Sequence, residues 1–120
     1  NPLIDSYEHN WEIYIANNVI TYAGFQNKFV VKYYPTSTIL KNSTWYNLTL
    51  IYNNSQIEIY LDGNKIYNNT VYTIPPINGN YIIGASLTGG DDFFNGELDD
   101  IRIYNKILTQ EQISYLANDK

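Results

Sequence analysis

Two adjacent carboxylates in a glycine-containing segment are the first residues whose types suggest chemistry. Asp91 and Asp92 follow the dipeptide Gly89-Gly90, and Asn95 lies a few residues further on. Glycine leaves the backbone free to bend around a ligand, and carboxylate, amide and carbonyl oxygens are the ligands that Ca²⁺ prefers. The sequence therefore predicts a calcium site at Asp91 and Asp92, with Asn95 as a further ligand-binding residue. The alternative is a solvated acidic loop.

A second carboxylate pair, Asp99-Asp100, lies in the segment FNGELDDIRIYN. The apolar residues fall on even positions up to Leu98 and on odd positions from Ile101 onwards. Because alternate side chains of a strand point to opposite faces, this change of parity requires a flipped face or one extra residue. We predict a β-bulge at the two aspartates, with Leu98, Ile101 and Ile103 all on the core side. Truncation of Ile103 to alanine would then cost roughly 2–5 kcal/mol.

Tyrosine is frequent, with 13 residues in the chain. Aromatic rings stack on the apolar faces of sugar rings, but tyrosine also suits half-buried sheet surfaces, where the ring packs and the hydroxyl stays wet. Most of the tyrosines are therefore expected to be structural. Tyr34 and Tyr72, in or beside predicted loops, are the candidates for exposed sugar-binding platforms.

The composition disfavours several classes of function. A net charge of -5 with only seven lysines and arginines argues against nucleic acid and against an anionic membrane surface, both of which attract a basic face. No apolar run approaches the ~20 residues that span a bilayer. With His9 as the one histidine and no cysteine, zinc and a Ser-His-Asp triad are implausible.

The elements that position these residues are nearly all strands, because short runs of alternating apolar and polar residues are separated by turn signals. Asn17-Asn18 and Asp62-Gly63 are tight-turn pairs, and Pro35 is expected to end a strand. The predicted strands are WEIYIA (11–16), VITYAGF (19–25), KFVVKYY (28–34), WYNLTLIY (45–52), the hairpin QIEIYLDGNKIY (56–67), YIIGA (81–85) and the FNGELDDIRIYN segment (94–105). Short strands at this spacing predict an antiparallel β-sandwich.

The end of the chain is predicted to be helical. Thr109 and Gln112 fit a capping box, in which each side chain bonds to the backbone of the other residue. Ile113 and Leu116 then form a short apolar stripe.

The order of these segments resembles a known family. WYNLTLIYNNSQIEIYLDGNKIY, then YIIGAS, then FNGELDDIRIYNKILTQEQISYLA is similar to the laminin-G-like, concanavalin-A-like jelly-roll domains. In that family a Trp opens a strand, a YxDG hairpin follows, then an IG strand and an F.G..D..RIYN..L...E...L motif. The resemblance covers residues 45–117 well and residues 11–22 loosely. It implies a single all-β antiparallel sandwich domain over residues 1–120 with a short C-terminal helix.

The same resemblance predicts an uncovered strand edge. Family members usually have further strands ahead of Trp11, and here these are reduced to PLIDSY or missing, so the chain resembles the larger part of such a domain. An uncovered last strand would recruit other strands. Either residues 3–7 fold back to pair with it, or a second copy or another segment of a longer precursor covers it.

A catalytic reading has a concrete form in related jelly-roll glycosidases. They carry an E-x-D-x-x-E strand whose outer glutamates act as nucleophile and acid about 5 Å apart. Glu97 and Asp99 fit the first two positions, but Arg102 stands at the third. Because the acid is lacking, no catalytic residue is predicted, and glycoside hydrolysis stays a remote alternative.

The resemblance therefore favours a non-catalytic recognition module at a cell or virion surface or elsewhere outside the cell. The leading interpretation is lectin-like carbohydrate binding or adhesion through the sandwich loops, with a glycan or a surface protein as partner. The alternative is a structural, oligomerising domain of a virion fibre or a surface-layer protein. Neither requires a certain cofactor.

Overall fold

The structure is a computed structural model that describes residues 2–6, 11–27, 30–53, 56–70, 81–84 and 94–118. Its strands are β1 (Pro2–Ser6), β2 (Trp11–Ala16), β3 (Val19–Asn27), β4 (Val30–Ile39), β5 (Leu48–Asn53), β6 (Gln56–Leu61), β7 (Asn64–Thr70) and β8 (Tyr81–Ile83), and its helix is α1 (Gln110–Asn118). All strand pairs are antiparallel. The predicted all-β class with a short C-terminal helix is confirmed.

The strands form a five-stranded sheet in the order β4-β3-β2-β1-β8 and a three-stranded sheet in the order β5-β6-β7. The chain divides into two compact units. Unit 1 comprises Asn1–Leu40 and Tyr72–Ile101, and unit 2 comprises Lys41–Val71 and Arg102–Lys120. Each sheet therefore belongs to one unit.

The N-terminal segment is a single strand, in line with the expected reduction, but its neighbours differ from the expected one. β1 lies inside the five-stranded sheet, where it pairs with β2 on one side and with β8 on the other. Both of its hydrogen-bonding edges are thereby used. The prediction that residues 3–7 pair with the FNGELDDIRIYN segment is therefore wrong.

The β2–β3 hairpin forms as the sequence predicts. Asn17 and Asn18 have φ angles of 52° and 62°, the left-handed pair that a two-residue hairpin turn requires and that asparagine tolerates. The turn sets the register of the hairpin, with Ala16 opposite Val19. Ile13 and Tyr22 are consequently neighbours on one face, and both are buried.

Strand β4 does not end at Pro35. It continues to Ile39, and Pro35 lies opposite Thr21 in the ladder with β3. β4 is an edge strand, and proline is tolerated there because its missing N–H can face away from the sheet. The predicted polar loop therefore begins only after Ile39.

In unit 2 the central strand β6 is buried on both faces. Ile57 and Ile59 have no exposed surface on one face. On the other, Tyr60 belongs to a small core with Ile51 and Ile113. Burial of each such side chain stabilises the fold by about 1.5–3 kcal/mol.

Helix α1 begins with the predicted capping box. The Thr109 N–H donates to Gln112 Oε1 over 2.9 Å, and the Gln112 N–H donates to Thr109 Oγ1 over 3.2 Å. Gln110 Nε2 also donates to the Gly63 carbonyl over 2.9 Å, which fixes the helix to the β6–β7 turn. The part of the chain that the structure describes holds no helix long and apolar enough to cross a membrane.

The predicted last strand is the largest correction. Residues 94–109 belong to neither sheet, and Leu98, Ile101 and Ile103 are 41%, 49% and 61% exposed rather than on the core side. Asp100 has a φ of 52°, and a left-handed residue interrupts the extended backbone that a ladder needs. Asp99 Oδ1 accepts a hydrogen bond from the Asp100 N–H over 2.8 Å, so the pair forms a local bend instead of a bulge.

Candidate functional site

The residues predicted to bind calcium lie mostly beyond the described ranges. Asp91, Asp92 and Tyr72 fall outside them, so the calcium site and the Tyr72 platform stay predictions. Asn95 is described and exposed. It follows Phe94, whose N–H donates to the Gly84 carbonyl over 2.7 Å. Across the described ranges no group of three or more histidine, aspartate or glutamate side chains could hold a metal ion.

Tyr34 is not an exposed platform. It lies within β4 and is only 5% exposed, with its ring centroid 6.1 Å from that of Tyr22. The prediction placed Tyr34 at a strand end because Pro35 was expected to stop the strand. Since β4 continues, Tyr34 points to the buried face, and its neighbour Tyr33 points to the opposite one.

That opposite face carries a group of side chains that we call the aromatic face. Residues directly opposite each other in antiparallel strands share one side of the sheet. Two rows crossing β2, β3 and β4 therefore lie side by side: Glu12, Ala23 and Tyr33 in one, and Tyr14, Thr21 and Pro35 in the next.

Small residues on the middle strand allow the two tyrosines of the aromatic face to meet. Thr21 and Ala23 on β3 are 5% and 1% exposed. The rings of Tyr14 from β2 and Tyr33 from β4 approach to 6.3 Å between centroids, with an angle of 89° between their planes. Edge-to-face pairs of this kind are favourable because the positive ring edge meets the negative ring face. Tyr33 nevertheless remains 57% exposed.

The electrostatic surroundings keep Tyr14 neutral. Burial raises the pKa of its hydroxyl above the usual value, and the neighbouring Tyr33 and the charge of Glu12 raise this pKa further. A hydrogen bond with the Thr21 side chain acts in the opposite direction and is outweighed. Tyr14 therefore keeps its proton at neutral pH and is held against Thr21, with the Glu12 carboxylate close enough to act on it.

A second polar group, in unit 2, has a structural explanation. The Tyr60 hydroxyl donates to Glu58 Oε1 over 2.7 Å, and Lys65 Nζ lies 3.7 Å from Glu58 Oε2. Lys65 Nζ also lies 5.8 Å from the centre of the Tyr60 ring. These contacts give the Tyr60 hydroxyl a partner beside its core, and the aromatic face remains the candidate site.

Comparison with known proteins places this site in a family. Residues 1–114 match the sequence family described as the concanavalin A-like lectin/glucanases superfamily. The chain belongs to this superfamily. The resemblance to laminin-G-like, concanavalin-A-like domains that the sequence motifs indicated is thus confirmed.

A solved structure also has a similar fold. It is the crystal structure of part of an S-layer domain-containing protein from Clostridium thermocellum, with a TM-score of 0.57 and 18% sequence identity. The match covers 98% of this chain and 63% of the solved chain. At this identity the likeness shows the fold alone.

Proposed function

We propose that this chain is a non-catalytic carbohydrate-recognition module of an extracellular or surface protein, and that it binds sugar on the aromatic face. The observation that carries the proposal is the Tyr33 ring, more than half exposed on a sheet and braced at a right angle by Tyr14. An exposed aromatic ring offers an apolar plane to the C–H face of a pyranose. Membership of a superfamily whose description includes lectins supports this reading.

The rigidity of the tyrosine pair favours binding. A side chain that must be ordered on association costs about 0.5–1.5 kcal/mol of binding free energy. Tyr14 is already held by Thr21, and Tyr33 already packs against Tyr14. The platform therefore requires little ordering when a sugar binds.

The glycosidase alternative finds no support in the described residues. Glu97 and Asp99 lie in an exposed segment outside both sheets, and Arg102 occupies the third motif position. Catalysis by paired carboxylates depends on a fixed separation across the glycosidic bond. An exposed bend does not supply such a fixed pair.

A structural, oligomerising role is the second candidate, and one observation favours it. The segment from Leu98 to Ile107 carries five apolar side chains that are 41–61% exposed: Leu98, Ile101, Ile103, Tyr104 and Ile107. Exposed apolar surface of this kind often marks a contact with another protein.

Binding to sugars tests the proposal directly. A glycan array followed by calorimetric titration of the ligands found is expected to give saturable binding. Tyr33→Ala should weaken it about tenfold or more, because removing an aromatic anchor typically costs upwards of 1 kcal/mol. Tyr33→Phe, which keeps the ring, should bind within about threefold of the natural chain, since that ratio corresponds to well under 1 kcal/mol.

Tyr115 supplies the matched control, because it is a 70% exposed tyrosine on α1 in unit 2. Tyr115→Ala should leave sugar binding unchanged. Absence of saturable binding on the array, or equal affinities of Tyr33→Ala and the natural chain, would contradict the proposal.

A further inference from the structure

We infer that Glu12 sets the class of sugar that the aromatic face accepts: an uncharged pyranose whose hydroxyl groups bond to the Glu12 carboxylate, with acidic sugars excluded. The inference rests on the proposed function and deepens it. Its support comes from the position of Glu12 in the sheet, from the chemistry of a carboxylate and from the charges of the surrounding side chains.

The position of Glu12 relative to Tyr33 suits one sugar ring. Glu12 pairs with Ala23, and Ala23 pairs with Tyr33, so the three lie in one row across three strands. Neighbouring strands are about 4.8 Å apart, which places the backbones of the two outer residues roughly 10 Å from each other. Ala23 between them contributes only a methyl group. A pyranose stacked on Tyr33 can therefore reach Glu12 without a bulky side chain intervening.

The chemistry of the carboxylate favours neutral sugars. An ionised carboxylate accepts hydrogen bonds at both oxygens and donates none, so it suits adjacent hydroxyl groups of a sugar. Such charge-assisted bonds are about twice as strong as neutral ones. The influence of Glu12 on the Tyr14 hydroxyl shows that its charge acts within the aromatic face.

The charges around the site disfavour acidic sugars. A uronic or sialic acid would bring a second carboxylate near Glu12, and like charges placed together across an interface are costly. None of the described side chains on the aromatic face is a lysine or an arginine that could offset this repulsion. The net charge of -5 acts in the same direction over longer distances.

The test compares neutral and acidic sugars of one length. Galacturonate and galactose oligomers of equal length, and the glucuronate and glucose pair, are titrated calorimetrically into the natural chain, Glu12→Gln and Glu111→Gln. The natural chain should bind the better neutral sugar about tenfold more tightly than its acidic counterpart, a ratio that corresponds to about 1.4 kcal/mol. Glu12→Gln should reduce this ratio to about threefold or less.

Glu111→Gln is the matched control, because it removes one negative charge from an exposed position on α1. It should keep the preference of the natural chain. Circular dichroism verifies that both variants fold.

The outcomes separate the two proposals. Binding that depends on Tyr33 but shows no preference for neutral sugars, or a preference that Glu12→Gln leaves unchanged, overturns the role of Glu12 and leaves the recognition module standing. If none of these sugars and no glycan on the array binds saturably, both proposals fail.

Discussion

At the scale of single residues, Tyr60 combines burial with a charged acceptor. Burial raises the pKa of its hydroxyl, and the hydrogen bond to Glu58 and the charge of Glu58 raise it further, to about 12. An exposed tyrosine in the unfolded chain titrates near 10. The unfolded state therefore loses its proton first, and the stabilisation due to this difference is complete below pH 10 and lost as the pH rises towards 12.

This linkage predicts a pH-dependent stability that Tyr60→Phe removes. The free energy of unfolding in urea, measured from pH 8 to pH 12, should fall more steeply above pH 10 in the natural chain than in the phenylalanine variant. The variant is the control for the other tyrosines and for the lysines, which titrate in both proteins. Parallel curves for the two proteins would show that Tyr60 titrates at the same pH in both states.

At the scale of elements, the first turn of α1 depends on the reciprocal bonds of Thr109 and Gln112. Thr109→Ala removes the side-chain acceptor for the Gln112 N–H and should lower the free energy of unfolding by about 1 kcal/mol. Thr109→Ser keeps the hydroxyl and should lie within about 0.5 kcal/mol of the natural chain, since serine caps as well as threonine. Urea denaturation measures both variants, and equal stability of the alanine and serine variants would contradict a capping role.

The segment from residue 94 to residue 109 shows that a strand-like pattern is not sufficient for a strand. A strand needs a hydrogen-bonding partner as well as alternating side chains. Here β1 pairs on both sides with other strands, and Asp100 turns the chain. Ile103 is exposed, so its truncation should change stability by about 0.5 kcal/mol or less instead of the cost of a core residue.

At the scale of the whole molecule, the exposed apolar run from Leu98 to Ile107 should promote self-association. Sedimentation velocity over a range of protein concentrations is expected to show a weight-average sedimentation coefficient that rises with concentration. Ile103→Ser, at the most exposed apolar residue of the run, should weaken this dependence without changing the fold, because it replaces surface that a second copy would cover.

Tyr115→Ser is the control for this experiment, since Tyr115 is also exposed but lies on α1, outside the run. It should behave as the natural chain does. A sedimentation coefficient that does not change with concentration would exclude association through this run.

The sequence by itself determined the features that depend on short-range contacts. The paired asparagines at 17 and 18 and the Asp62-Gly63 pair adopt the left-handed turns that their types predict. The capping box of α1 forms between residues three positions apart. The family motifs were readable for the same reason, because each motif is a local arrangement of turn residues and alternating apolar side chains.

The tertiary structure decided which strands pair and which tyrosine is exposed. Nothing local to Pro35 reveals that β4 is an edge strand, yet that position lets the strand continue and turns Tyr34 inward and Tyr33 outward. The meeting of Tyr14 and Tyr33 likewise requires Thr21 and Ala23 on the strand between them. Strand pairing joins residues that are distant in the chain, so its outcome depends on competition among all strands for the same partners, which a local pattern does not contain.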